Sequence, residues 1–267
     1  MSRIGPTLEA LRSQGRTALV PFITAGDPRL EATVPALNAL VQGGADLLEL
    51  GVPFSDPEAD GPAIQAASER ALANGTGLRD ALDCVAEFRS GNDRTPVILM
   101  GYLNSVLAMG EGAFATAAAA AGVDGAIIVN LPPEESEPLR GALAQQGIDL
   151  ILLAAPTTSD ERLSAIDQAA SGFVYLVSLK GTTGADHISV SEVNQNLTRL
   201  RAHTQLPVLV GFGIKDGPTA RALGERADGV VVGAAIVSRM AALSDAAAAI
   251  PEALRQFVSE VRQALDA

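Results

Sequence analysis

The sequence predicts an α/β chain folded as a single (β/α)8 TIM barrel, on three observations. Short, β-branched apolar runs alternate with helix-like segments along the whole length, and eight such runs fit within 267 residues. The runs are nearly continuous in apolar residues, the pattern of parallel strands covered on their outer face. After the first run the chain reads Thr24-Ala25-Gly26-Asp27-Pro28, which is a turn. A doubly wound open sheet, the main competing architecture, usually shows a glycine fingerprint there.

Taken in order, MSRIGPTLEALRSQG has the spacing of an amphipathic helix added ahead of the barrel, and lacks the form of a signal peptide. The strand runs are Ala18–Thr24, Leu47–Val52, Pro96–Tyr102, Gly125–Leu131, Leu150–Ala155, Phe173–Leu179, Pro207–Phe212 and Gly229–Val232. Between them, helical spacing covers Leu30–Val41, Leu78–Arg89, Gly112–Ala121, Glu134–Gln146, Asp160–Ala170, Val190–His203 and Pro218–Arg226. The Ala-rich run Ala115–Ala121 reads as a low-bulk packing surface. Gly233-Ala234-Ala235-Ile236-Val237 opens a further short helix after the eighth strand, and Pro251–Ala267 is a final amphipathic helix carrying Leu254, Phe257, Val261 and Leu265. No linker, low-complexity stretch or charge run breaks this rhythm, so residues 1–267 are expected to form one domain.

Composition narrows the function. Hydrophobic residues make up 48% but aromatics only 3%, a core of Ala, Val, Leu and Ile suited to close helix-on-strand packing. A net charge of −12 argues against nucleic acid or an anionic membrane as partner, since both need a basic surface. An anionic small substrate stays compatible if local donors override the global field. Cys84 is the single cysteine, on a helical pattern with Leu82, Val85 and Phe88, and is expected to be buried and inert. With only His187 and His203 besides, no metal-ligand cluster is expected. No apolar run approaches membrane-spanning length, and a soluble cytoplasmic protein is expected.

The most informative stretch is Leu48–Gln65, LELGVPFSDPEADGPAIQ. Glu49 interrupts an apolar run (Leu47, Leu48, Leu50, Val52) that reads as a buried strand. Desolvating a carboxylate is expensive, so such a residue is either paired structurally or held for chemistry. Asp60, eleven positions on, lies on a Pro/Gly-shaped loop with Asp56 and Glu58, which favours chemistry. In barrels of this kind the active site forms from the loops after the strands. That rule puts Glu49 in the mouth and Asp60 above it, with Tyr102 ending the third strand and Tyr175 within the sixth. Lys180–Asp186 has the Gly/Thr composition of a lid, or of an ordinary turn. Gly211-Phe212-Gly213 and Gly233-Ala234 close the last two strands, where barrels often bind phosphate through backbone amides and a helix N-terminus. Glycines used only for packing are the alternative. Neither a Walker loop nor Gly-x-Gly-x-x-Gly occurs there, so no nucleotide is implied.

Leu48-Glu49-Leu50-Gly51-Val52-Pro53-Phe54-Ser55-Asp56-Pro57 followed by Ala59-Asp60-Gly61-Pro62 resembles the signature of the tryptophan synthase alpha-subunit family. The likeness continues through Val20–Pro28, Met100-Gly101-Tyr102, Gly122–Gly125, Thr183-Gly184-Ala185 and Gly211–Ile214. It implies a lyase that cleaves indole-3-glycerol phosphate to indole and glyceraldehyde 3-phosphate, with Glu49 and Asp60 as catalytic pair. By the same correspondence Phe22, Ile64, Met100, Tyr102 and Tyr175 line the indole pocket. Thr183, Gly184, Phe212, Gly213, Gly233 and Ala234 complete the substrate contacts, with Gly184, Gly213, Gly233 and Ala234 holding the phosphate. The resemblance implies no cofactor or metal in this chain. It implies a pyridoxal-phosphate-dependent beta subunit as partner, in an alpha2beta2 complex facing Pro53–Asp56 and Leu131–Pro132. An apolar pocket is expected to raise the pKa of Glu49 and leave Asp60 ionised.

Four departures from the family pattern stand out. Glu58 replaces an aliphatic residue, either raising the pKa of Asp60, altering docking of the partner, or simply facing water. Asn130 replaces a common Asp, Leu179-Lys180 replaces an Arg-containing form, and Ala234 replaces a frequent Ser. Two rival readings remain at this point: another phosphate-binding barrel enzyme, and a catalytically weak subunit that mainly activates a partner. The first usually places a Lys or Asp on the first strand, and Ala18–Thr24 has neither.

Overall fold

A computed structural model describes residues 1–177, 189–211 and 213–267. Eight parallel strands close on themselves: β1 (Ala18–Thr24), β2 (Leu48–Gly51), β3 (Val97–Gly101), β4 (Gly125–Ile128), β5 (Asp149–Ala154), β6 (Val174–Val177), β7 (Val208–Gly211) and β8 (Gly229–Val232), with β8 returning to pair with β1. This is the expected (β/α)8 barrel. Twelve α-helices surround it among the described residues. The first is α1 (Ile4–Ser13), and after β1 a 3₁₀ turn at Leu30–Ala32 leads into α2 (Thr33–Gln42). Two helices, α3 (Pro62–Ala73) and α4 (Leu78–Gly91), follow β2, and two, α5 (Leu103–Met109) and α6 (Glu111–Ala121), follow β3. Single helices α7 (Glu137–Gln145), α8 (Asp160–Ala169), α9 (Val190–Arg201) and α10 (Gly217–Gly224) precede the pair after β8, α11 (Ala234–Ala242) and α12 (Ile250–Asp266).

The strands show why near-continuous hydrophobicity was required. Successive side chains point to opposite faces of a strand. Leu19, Ile23, Leu48, Leu50, Val97, Leu99, Ala126, Leu150, Leu152, Val208, Val210 and Val230 pack outward against the helices in one cluster. Ala18, Val20, Leu47, Ile98, Ile127, Ile151, Phe173, Leu209 and Val231 fill the barrel interior in a second. Ile4, Leu8 and Leu11 of α1 belong to that inner cluster, so the N-terminal helix stoppers the end where the strands begin. Each such Ile or Leu contributes about 1.5–3 kcal/mol of burial. The Ala-rich helix α6 lies against α4 and α7 through Phe114, Ala115, Ala118 and Ala121, a packing surface as expected.

Three differences from the sequence reading concern the mouth. Several strands stop one to three residues short of the predicted runs, as at Gly51, Gly101 and Ile128, because the chain leaves the ladder there to build loops. The ends of the sixth and seventh runs, Ser178–Leu179 and Phe212, lie outside the described residues, as does Lys180–Asp186. Helices α3 and α5 were not foreseen, although Gly61-Pro62 is a helix-start signal, with proline at the first helical position. Pro53 and Leu131, on the loops that the resemblance turns toward a partner, are buried in the chain itself, and Pro132 is half-buried. Among the described residues no single helix is long and apolar enough to cross a membrane.

Candidate functional site

The site is built from the C-terminal ends of β1, β2, β3, β6, β7 and β8 and the helices that follow them. Inward-facing positions near this end are Phe22, Glu49, Met100 and Tyr175, one layer above the aliphatic plug. Glu49 stands beside Phe22 on β1 and Ile98 on β3 in the ladder. Only 1% of Glu49 is exposed, and its Oε2 has no hydrogen-bond partner among the described residues. Burial pushes its carboxyl up to about 8, with the nearby charge of Asp60 adding to the rise. Glu49 is therefore mostly protonated at neutral pH.

Asp60 arrives from a different element. The chain turns after β2, with the Asp60 N–H donating to the Pro57 carbonyl at 3.0 Å, and α3 starts at once behind it. The Gln65 amide, one turn into α3, donates to the carbonyls of Asp60 (2.8 Å) and Pro57 (3.3 Å), fastening the loop from below. Tyr102 fixes the carboxylate. Its Oη donates to Asp60 Oδ2 at 3.1 Å and accepts from the Ala59 N–H at 3.1 Å, while its ring stacks on Phe54 at 4.9 Å. Burial pushes the Asp60 carboxyl up to about 6, against the Tyr102 hydrogen bond, which lowers it. Asp60 is thus buried and its pKa raised, yet it remains mostly ionised at pH 7, as the sequence predicts. Glu58 is exposed and does not contribute to the Asp60 shift, so that expected effect is absent; its charge reaches the Tyr102 hydroxyl instead.

A narrow recess beside these acids is lined by Phe22, Thr24, Gly51, Val52, Asp60, Ile64, Ser68, Met100, Gly101 and Tyr102. Four of the five predicted pocket residues line it. The fifth, Tyr175, is buried in the barrel interior, where it meets Phe173 edge-on; burial first, then the charges of Glu49 and Asp60, raise its pKa. Two glycines make this packing possible. A Cβ on Gly51 would sit 2.5 Å from the Phe22 ring, and one on Gly211 would sit 2.2 Å from the Tyr175 hydroxyl. Across the mouth Gly233 caps α11, and a Cβ there would touch Phe22 (3.6 Å) and Ile64 (3.7 Å), so the apolar pocket runs up to that helix start. Ala234 is exposed in the first turn, where backbone N–H groups have no intrahelical acceptor. Gly213, exposed with a φ of 62°, stands at the end of the neighbouring β7. Thr183, Gly184 and Phe212 lie outside the described residues.

Sequence reasoning missed Thr24, Ser68 and Gln65, small polar residues with no signature of their own. It also missed the frame of α3. Asp27, fully buried after β1, accepts two hydrogen bonds from Arg70 of α3 at 2.7 and 3.0 Å and so ties the first loop to the helix behind Asp60. Asn130 is now accounted for: its Oδ1 accepts from the Leu103 N–H at 2.8 Å, capping α5, while its amide faces Asn104 Oδ1 at 3.3 Å as donor, which an Asp could not do. Cys84 is buried, with its thiol pushed up to about 11 by that burial. Among the described residues no group of three or more His, Cys, Asp or Glu side chains is arranged to hold a metal. A larger cleft opens at the opposite end, beside α1. Its charges are largely spent on one another, as in Arg12 with Glu9 (2.8 Å) and Arg201 with Asp228 (2.9 Å).

A family model described as tryptophan synthase alpha chain matches residues 8–266. The tryptophan synthase alpha chain of Laribacter hongkongensis is 54% identical over 267 residues, covering all of both chains. That of Alkalilimnicola ehrlichii is 53% identical over 266 residues, covering all of this chain and 97% of its own. Among solved structures, the alpha subunit from Legionella pneumophila str. Paris superposes with a TM-score of 0.94 at 44% identity, covering 100% of this chain and 99% of its own. The tryptophan synthase complex from Pyrococcus furiosus contains a chain with a TM-score of 0.84 at 39% identity, covering 92% and 98%.

Proposed function

Because the chain belongs to the tryptophan synthase alpha chain family, and is a lyase performing the alpha reaction of tryptophan biosynthesis, we propose that Glu49 and Asp60 carry that reaction as acid–base catalyst and charge acceptor. The observation that supports this is the ordering of two buried carboxyls in one mouth, about 8 for Glu49 and about 6 for Asp60. Between those values one acid holds its proton and the other has lost it. The substrate is indole-3-glycerol phosphate. Glu49 gives its proton to ring carbon C3, which leaves the ring an electron-poor iminium. Asp60 accepts from the indole N–H and offsets the positive charge that builds there. The Glu49 carboxylate then takes the proton of the side-chain hydroxyl on the carbon attached to C3. That carbon becomes the aldehyde, the carbon–carbon bond breaks, and its electron pair restores the aromatic indole. Glu49 ends protonated, as it began.

Phe22, Ile64, Met100 and Tyr102 hold the ring, and Tyr175 supports the cavity from behind. The phosphate is received by backbone amides at Gly213, Gly233 and Ala234, where the first turn of α11 adds its dipole; Gly184 and Thr183 join them in the same reading. No metal or cofactor enters this scheme. A pyridoxal-phosphate-dependent beta subunit takes up the indole in an alpha2beta2 complex, docking on the end that carries Phe54–Asp56 and α5. Leu107, 57% exposed on α5, supplies apolar area on that face. The exposed Glu58, on the loop after Phe54–Asp56, acts on docking. A cytoplasmic setting belongs to the same reading, since the phosphorylated substrate does not cross a membrane unaided.

Steady-state release of indole from indole-3-glycerol phosphate, with and without a beta subunit, tests the proposal. Cleavage that is slow alone and accelerates on association is the expected result; no cleavage in either state sinks it. A second measurement concerns Ala234. Ala234→Ser restores a hydroxyl beside the phosphate amides and is expected to lower KM about three- to tenfold with little change in kcat, the scale of one ordinary hydrogen bond. An unchanged KM would remove Ala234 from the phosphate site.

A further inference from the structure

We propose that Thr24 is a ligand-contacting residue of this site, its hydroxyl serving with Asp60 as a second hydrogen-bond acceptor for the indole N–H. The inference rests on the reading of Glu49 and Asp60 given above and extends it to a residue that reading did not include.

Thr24 ends β1, two residues beyond Phe22 and opposite Gly51 in the ladder. Only 1% of it is exposed, and it lines the recess shared with Asp60, Ser68 and Tyr102. Its backbone is engaged, the carbonyl accepting from Asp27 at 3.2 Å. Its Oγ1 is not: it is a buried polar atom with no hydrogen-bond partner among the described residues. Buried hydroxyls without partners are uncommon and cost stability, so each calls for a reason. Among the described residues there are three such side-chain atoms, and two, Thr24 Oγ1 and Glu49 Oε2, lie at this one mouth. Two unpartnered buried polar atoms concentrated in one mouth point to a polar ligand there. On Asp60, Oδ2 is already occupied by the Tyr102 hydroxyl, and Oδ1 takes no hydrogen bond from a described residue. An indole brings one donor, its ring N–H. A hydroxyl offers lone pairs to that donor, and Thr24 Oγ1, with no partner among the described residues, has both free to accept it.

Binding of indole and of benzofuran, its isostere without the N–H, to the full chain and to Thr24→Val, Thr24→Ser and Asp60→Asn tests this. Valine keeps the shape and removes the hydroxyl. Expected for Thr24→Val are indole affinity about three- to tenfold weaker, benzofuran affinity unchanged, and a ligand-free melting temperature raised by about 2–4 °C because an orphan buried hydroxyl is gone. Thr24→Ser restores the preference for indole. Equal weakening of both ligands, unchanged indole affinity, or a lowered melting temperature in Thr24→Val each overturns the inference, the first and last by assigning Thr24 to packing. If Asp60→Asn erases the indole preference while Thr24→Val does not, the reading of Asp60 stands and this inference falls. If neither variant alters it, the reading of Asp60 falls as well.

Discussion

Glu49→Gln is expected to lose indole-3-glycerol phosphate cleavage by about 10²–10⁴-fold in kcat while substrate affinity stays within a few-fold, because the variant keeps the shape of the pocket and loses the proton that the proposed mechanism delivers to the ring. Single-turnover indole release against equilibrium binding of the substrate measures both. Loss of binding and rate together would mean that the residue holds the substrate and does not move a proton.

The same substitution has a second signature, in stability. Glu49 ordinarily titrates near 4.5 and in the folded chain near 8. Between those values the native state keeps a proton that the unfolded chain releases, so folding becomes less favourable as pH rises through the window, by about 1.4 kcal/mol per pH unit for one such proton, and the loss levels off above pH 8. Asp60 adds a slope of the same sign between 3.8 and about 6. Glu49→Gln has no proton to lose. Its urea midpoint should therefore fall less than that of the parent chain between pH 6 and 8, where Asp60 no longer contributes. Parallel midpoints across that range would mean that Glu49 is ionised in the fold.

How much of this was legible in the chain follows from which interactions carry a local pattern. The barrel was, because each strand must bury both faces and each helix one stripe, and those demands write short unbroken apolar runs and a period of 3.6 into the residues. Glu49 was, because a carboxylate in such a run violates the pattern. The frame around Asp60 was not. The Tyr102 hydroxyl reaches Asp60 across 42 positions, Arg70 reaches Asp27 across 43, and no spacing rule predicts contacts made by loops meeting at a barrel mouth. The burial of Asp60 was hidden for the same reason: the ring of Phe54, the start of α3 and the end of β3 close over it only after folding. Thr24 was unreadable for a further reason, since its hydroxyl differs from the methyl of a valine by one atom and a strand accepts either.

Titration of kcat/KM separates the two acids most directly. In the proposed mechanism the active form has Asp60 ionised and Glu49 protonated, so the profile should be bell-shaped, with an acid limb near pH 6 and an alkaline limb near pH 8. The order is self-consistent: Asp60 releases its proton while Glu49 is still neutral and exerts no charge, and the Asp60 charge then makes Glu49 harder to ionise. Tyr102→Phe deletes the one hydrogen bond that holds the Asp60 pKa down and should move the acid limb up by about 1–2 pH units, the range for a hydrogen bond to a charged group, with the alkaline limb nearly in place. Asp60→Asn should abolish the acid limb and cut kcat by about 10²-fold, since an amide cannot offset the charge on the ring nitrogen. Glu58→Leu should leave both limbs where they are, because that carboxylate acts on Tyr102 and not on Asp60. An acid limb that ignores Tyr102→Phe would show that some group other than Asp60 governs the low-pH side, and the division of labour between the two carboxyls would have to be redrawn.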